Sequence, residues 1–206
     1  MPDPGQAERP APAAAAAARL LLDRPPRLGT TRLGVVDGPS GSGKSTFARR
    51  WAHESLLAGA PSVSVFSSDV LSTWAEPFGW WPRFDAGVLG PLARGTIGRV
   101  RATDWSTGTP RPGNWLDVGP TSVLIVEGVS CGRAEIADRA GVLVWVELPD
   151  RRNRLERAVA RDGEDSRGYL TAWQHDEDAF FAADRTRQRA DVVVDPDRPS
   201  LRKSLG

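Results

Sequence analysis

Apolar residues in this chain are gathered into short blocks that alternate between two periods. RLGVVDG (32–38), SVLIVEG (122–128), GVLVWVEL (141–148) and ADVVVD (190–195) are apolar runs closed by glycine or an acid, the pattern of strands buried on both faces. SVSVFSSD (62–69) alternates and is rich in β-formers, which predicts another strand. Between these runs the spacing turns helical. Lys44 to about Leu57 offers Phe47, Ala48, Trp51 and Leu56 for a buried side, with Gly59 as its stop. Pro149 opens an arginine-rich helix to about Arg161, and a second helix is predicted from about Gly168 to Arg189. Strands alternating with helices in this way predict an α/β fold, a parallel sheet covered on both faces.

The remaining stretches are less regular. AAAAAARLLLDR (13–24) has helix-forming composition and ends at Pro25-Pro26. Residues 70–120 hold a helix candidate, Asp85 to Arg94, and a strand candidate, GRVRATDW (98–105). They are otherwise broken by Gly and Pro and carry Trp74, Trp80, Trp81, Trp105 and Trp115. The expected organisation is a flexible Ala/Pro-rich segment (1–27), one domain (28–198) and a short tail (199–206).

Composition narrows the function classes. At 206 residues and a net charge of +1, the chain has no bulk field to draw nucleic acid or an anionic membrane. Its single cysteine, Cys131, excludes an internal disulfide. The N-terminal apolar run follows acids and contains Arg19, unlike a secretory signal, and no segment approaches the ~20 apolar residues of a membrane span. A cytoplasmic protein without a nucleic-acid or membrane partner is expected; composition assigns no oligomeric state.

The chemistry enters at DGPSGSGKSTFARR (37–50). Gly38, Pro39, Ser40, Gly41, Ser42, Gly43, Lys44 and Ser45 match the phosphate-loop pattern G-x-x-x-x-G-K-[ST], and Thr46 follows. The run follows a strand and opens a helix, as the pattern requires. Glycines let successive N–H groups turn inward toward phosphate oxygens, and the helix adds its positive end. Lys44 would reach the β- and γ-phosphates of a nucleotide, and the Ser45 hydroxyl would ligate Mg²⁺. Arginine supplies all but two of the 27 basic side chains, yet lysine stands at position 44. A flexible ammonium can follow a moving phosphoryl group where a planar fork does not fit. With only Lys44 and Lys203 present, the guanine-reading Asn/Thr-Lys-x-Asp stretch of GTPases is absent, and so is an LSGGQ-like transporter stretch. A small-molecule kinase remains. Glu127, closing an apolar strand, is a candidate to bind Mg²⁺ directly or through water; it could equally be a polar strand end.

DGPSGSGKSTFA, the SSD at 67–69, VLIVEG (123–128), RDGEDSRG (161–168) and ADVVVD occur in the order found in uridine kinases. Over roughly residues 30–196 the chain resembles the uridine kinase/phosphoribulokinase-like group. That resemblance implies a P-loop three-layer α/β/α domain with a five-stranded parallel core and an arginine-bearing helical lid. It further implies transfer of the γ-phosphoryl of Mg-ATP to a hydroxyl of a small-molecule acceptor. On it, Asp69 takes the proton of the attacking hydroxyl or orients it, with a helix cap as its alternative role. Arg161 and Arg167 match the lid's RD…RG stretch, with Arg157 a lesser candidate, and Asp162 orients an arginine or ends the helix. Asp104 and Trp105 fall where the family places its acceptor pocket, for a sugar hydroxyl and a base respectively. Arg133 and Arg111 are weaker acceptor candidates. The chain departs from the family after Asp69, where Val-Leu-Ser-Thr-Trp replaces an aromatic pair.

A nucleoside is the favoured acceptor. A nucleoside monophosphate is the near alternative, since Arg83, Arg94, Arg99, Arg101 and Arg111 could meet an acceptor phosphate. An ATP-binding regulator without transfer activity is the alternative of another class. Trp74, Trp80 and Trp81 read as the core of an inserted subdomain, and Cys131 as a small buried filler. His53 and His175 have no ligand-spaced partner, so no zinc site is expected.

Overall fold

The computed structural model describes residues 12–196 and the backbone of 198–202. Helix α1 (Pro12–Asp23) leads into β1 (Arg32–Asp37), the phosphate-loop run, α2 (Lys44–Leu57) and β2 (Val63–Ser67). A helical stretch follows: α3 (Trp81–Phe84), a π-helical turn (Asp85–Leu89) and α4 (Gly90–Ala93). The chain continues through β3 (Gly98–Asp104), β4 (Arg111–Val118), β5 (Val123–Glu127) and β6 (Ala140–Val146). It closes with α5 (Arg151–Asp162), α6 (Arg167–Asp184), α7 (Thr186–Arg189), β7 (Val192–Asp195) and β8 (Arg198–Arg202).

Five strands form a parallel sheet in the order β2-β5-β1-β6-β7, and β8 adds an antiparallel edge. The five-stranded parallel core is the one the resemblance implied, and the added antiparallel strand lies almost wholly in what was read as the tail. Alternation along the strands splits the core. On β6, Val142, Val144 and Val146 face α1 and α2, where Ala14, Ala17, Ala18, Leu21, Phe47 and Trp51 pack. Leu143 and Trp145 face the other layer, with Trp80, Trp81, Phe84 and Leu92. Helix α1 is the leading helix that the composition of 13–24 suggested, and it packs into the domain with Ala14 and Leu21 at 0 % exposure. The flexible segment drawn over 1–27 therefore does not hold for residues 12–23. Residues 1–11 lie outside the described residues.

Other differences have local causes. Pro112 and Gly113 hid β4, which pairs antiparallel with β3 in a separate two-stranded sheet. Asp150, rather than Pro149, starts α5: its carboxylate accepts from Asn153 N–H at 3.0 Å, an N-cap. The long helix predicted to Arg189 breaks at Arg185, whose φ is 56°. Leu56, assigned to a buried side, is 50 % exposed.

Register then positions the site. Glu127 at the end of β5 lies abreast of Val36 on β1 and Ser67 on β2. The carboxyl ends of three adjacent strands, β1, β5 and the edge strand β2, therefore deliver the phosphate-loop run, Glu127 and the turn carrying Asp69 to one side of the sheet, where open α/β sheets bind ligands.

Candidate active site

The phosphate-loop run curls as its pattern requires. Gly38 has φ +144°, and a Cβ there would lie 2.1 Å from the Val146 carbonyl oxygen. The ammonium of Lys44 donates to the Pro39 carbonyl at 3.1 Å across the loop. Behind it, Asp37 is fully buried and accepts from the N–H groups of Gly38 (2.7 Å), Ser130 (3.0 Å) and Gly132 (2.7 Å). One carboxylate thus ties the loop after β1 to the loop after β5. The sequence marks it only as an acid closing an apolar run.

Burial pushes the Asp37 carboxyl up from 3.8 to about 7, against the three N–H groups and Lys44, which pull it down. The folded protein holds this proton more tightly than the unfolded chain, so the stabilisation from Asp37 is fullest below pH 3.8, declines as pH rises through about 7 and is flat above. Urea unfolding of wild type and Asp37→Asn across that range checks it. The difference between them should shift against wild type as pH rises; the opposite slope would refute the assignment.

A cavity of about 700 Å³ opens beside the loop and brings together Ser40, Ser45, Asp69, Glu127, Arg161 and Asp162. Trp105 lines it too. Sequence reading missed Arg49, Leu170, Trp173 and Trp74 among its lining residues. Trp74 is not core: it stacks on Tyr169 (5.2 Å, 20°) and meets Trp105 and Trp173 edge-on at 5.8 and 5.6 Å. Trp80 and Trp81 are core, at 0 and 9 % exposure.

Ser45, Glu127 and Asp69 are the residues that could hold a divalent cation. Glu127 is buried and its Oε2 has no hydrogen-bond partner among the described residues, an arrangement that suits a cation or its bound water. Its carboxyl is raised by burial and then by the neighbouring Asp69, with Lys44 opposing. Among the described residues no group of three His, Cys, Asp or Glu could hold a metal. The set therefore fits an ion held jointly with phosphate oxygens, as Mg²⁺ commonly is, and not a self-contained metal centre.

Several sequence candidates are engaged elsewhere. Asp104 accepts from Ser106 N–H and from Arg111 Nε–H at 2.9 and 2.8 Å, which holds its carboxyl down at about 2 and keeps both residues on the β3–β4 turn. Arg133 donates to the carbonyls of Ser130 and Phe78, and its guanidinium lies over Trp80, Trp81 and Phe180 at 5.3–5.4 Å. It is engaged in packing and is not among the residues that line the cavity. Arg167 pairs with Glu156 and Glu164 and does not line the cavity. Arg161 does line it, gripped by its neighbour Asp162 through two 2.6 Å hydrogen bonds. Arg157 is on the exposed side of α5. Cys131 is fully buried in the core, its thiol raised by burial. His53 and His175 sit at exposed helix positions.

No family model and no curated protein matches the chain. Solved structures do. A Bacillus stearothermophilus structure described as a possible uridine kinase aligns at TM-score 0.63 and 20% identity, covering 89% of this chain and 97% of that one. A candidate fructose transport system kinase from Silicibacter sp. TM1040 aligns at 0.55 and 24% identity over 86% and 94%. The YGR205w protein aligns at 0.52 and 13% identity over 85% and 91%. The likeness establishes the fold class: a P-loop three-layer α/β/α domain. Within that class, the chain shares its fold with these three structures, one of them described as a possible uridine kinase.

Proposed function

We propose that the protein is a P-loop kinase of the uridine kinase-like group, moving the γ-phosphoryl of Mg-ATP to a hydroxyl of a small acceptor, a nucleoside being the favoured class. The observation that carries this reading is the single cavity joining Ser45, Glu127, Asp69 and Arg161 to a wall of three tryptophans.

In this reading the loop amides and Lys44 hold the phosphates. Ser45 and Glu127 would hold Mg²⁺, which when bound offsets charge on the phosphate oxygens. Asp69 accepts the proton of the acceptor hydroxyl as its oxygen attacks phosphorus in line, while the bond to the ADP oxygen breaks. Arg161, releasing Asp162, stabilises the charge on the phosphoryl in flight. Arg167 can join only by leaving two acids, so it is assigned to holding the lid.

Trp74, Trp105 and Trp173 suit a flat acceptor group. An acceptor phosphate is less favoured, because none of the five arginines named for it lines the cavity and four of them have partners elsewhere. Arg83 donates to the Leu71 carbonyl, Arg99 pairs with Asp117, Arg101 donates to the Gly113 carbonyl and Arg111 pairs with Asp104. That leaves Arg49 as the one arginine besides Arg161 among the lining residues.

The test is ADP release with Mg-ATP against matched panels of nucleosides and nucleoside monophosphates. Stimulation by a nucleoside supports the reading, and stimulation by monophosphates alone would overturn the acceptor class. Trp74→Ala should raise the acceptor KM by the worth of a lost stacking contact, about 1–3 kcal/mol or roughly 5- to 150-fold. Steady-state kinetics should show the KM for ATP unchanged.

A further inference from the structure

The tip of the phosphate loop is gripped by the two helices that flank the lid. Ser40 N–H donates to both carboxylate oxygens of Glu177, at 2.8 and 3.2 Å. Glu177 lies within α6 and has no exposed surface. At the next loop residue, Gly41, φ is +75° and a Cβ would lie 2.2 Å from the carbonyl oxygen of Arg154 on α5. The Ser40-Gly41 pair is therefore wedged between α5 and α6.

A carboxylate at this place is electrostatically awkward. It is buried, and the charged side chains facing it are Lys44 and Arg154. Arg154 is itself bound to the Leu148 carbonyl at 2.7 Å. A nucleotide held by Lys44 would bring further negative charge close to Glu177, which opposes binding. Lys44 and Arg154 offset the buried charge, but toward a bound nucleotide the charge is unfavourable, and it is the reach that accounts for a long acceptor here. The side chain spans from α6 to a loop N–H and meets it with good geometry.

We propose that Glu177 is a positioning residue. By pinning α6 to Ser40, opposite the α5 backbone at Gly41, it fixes both roots of the lid on the phosphate loop. Arg161, in the last turn of α5, is thereby set in register with the phosphoryl groups the loop holds. The inference rests on the reading of the loop as an ATP site.

Calorimetric titration with Mg-ATP, and with adenosine as a ligand lacking phosphates, separates the contributions. Glu177→Ala removes the hydrogen bond and should weaken ATP about tenfold or more. Glu177→Gln keeps an oxygen that accepts from Ser40 N–H and removes the repulsion, so it should bind ATP at least as tightly as wild type. Gly41→Ala should weaken ATP with Glu177 intact, because the new Cβ drives the α5 backbone away. Adenosine binding should stay level in all three. The proposal fails if Glu177→Ala binds ATP as tightly as wild type or tighter, the mark of a competing internal anion. It also fails if both Glu177 variants lose ATP and adenosine together, the mark of general structural damage. If Glu177→Ala does not fold, Glu177→Gln and Gly41→Ala still decide. Wild-type protein that binds no ATP would overturn the site reading itself.

Discussion

Lys44→Ala is expected to lower phosphoryl transfer at least ~10²–10³-fold, the effect of removing one preorganised charge from a transition state in which negative charge spreads over oxygens. Lys44 is buried and already bent over the loop, its ammonium on the Pro39 carbonyl at 3.1 Å, so little reorganisation precedes its contact with phosphate. Alanine is well tolerated at a helix start, but Lys44 also offsets the buried carboxyls of Asp37, Glu127 and Glu177, so the melting temperature should fall while the protein stays folded. Lys44→Arg should recover little of the loss, since a planar fork cannot occupy the ammonium's place beneath the curled loop. Initial rates of ADP release paired with thermal melts check both variants. A Lys44→Ala protein with the wild-type rate would remove the loop from the mechanism.

Asp69→Asn is expected to cut kcat by about 10²–10⁴-fold with the KM values for ATP and acceptor little changed, as befits loss of a proton acceptor used only in the transition state. The side chain is exposed toward the cavity from the short turn Ser68–Val70 after β2. Asp69 also helps raise the Glu127 carboxyl, so the variant should bring that group back toward its ordinary range. Retained activity would leave Asp69 as a turn residue.

What the sequence disclosed follows from how locally each feature is encoded. The phosphate loop is contiguous, and its glycines, lysine and serine state their backbone requirement outright. Asp37, Asp69 and Glu127 stand at or just beyond the ends of apolar strands, and parallel register brings those ends together. Four of the five parallel strands were legible because burial on both faces demands unbroken apolar runs, and β2 was legible from its alternation. β4 was not, since its face is largely exposed and has no such demand.

Misplaced residues share a cause: a charged side chain's partner is set in space. Asp104 finds Arg111 across a turn, and Arg167 finds Glu156 on the other side of the lid. The aromatic bed of Arg133 is assembled from two distant stretches of chain. The same holds for what was missed. Trp173 and Glu177 are four residues apart on α6, and in one dimension nothing separates a wall of the cavity from a latch on the loop.

The central claim is transfer to an acceptor, and the most direct measurement follows ATP labelled at the γ-phosphoryl. With the stimulating acceptor present, the label should appear on an acceptor hydroxyl in wild type and be absent with Lys44→Ala. Label released only as inorganic phosphate, or retained on tightly bound ATP whatever acceptor is offered, would contradict a kinase and leave a nucleotide hydrolase or a nucleotide-binding regulator.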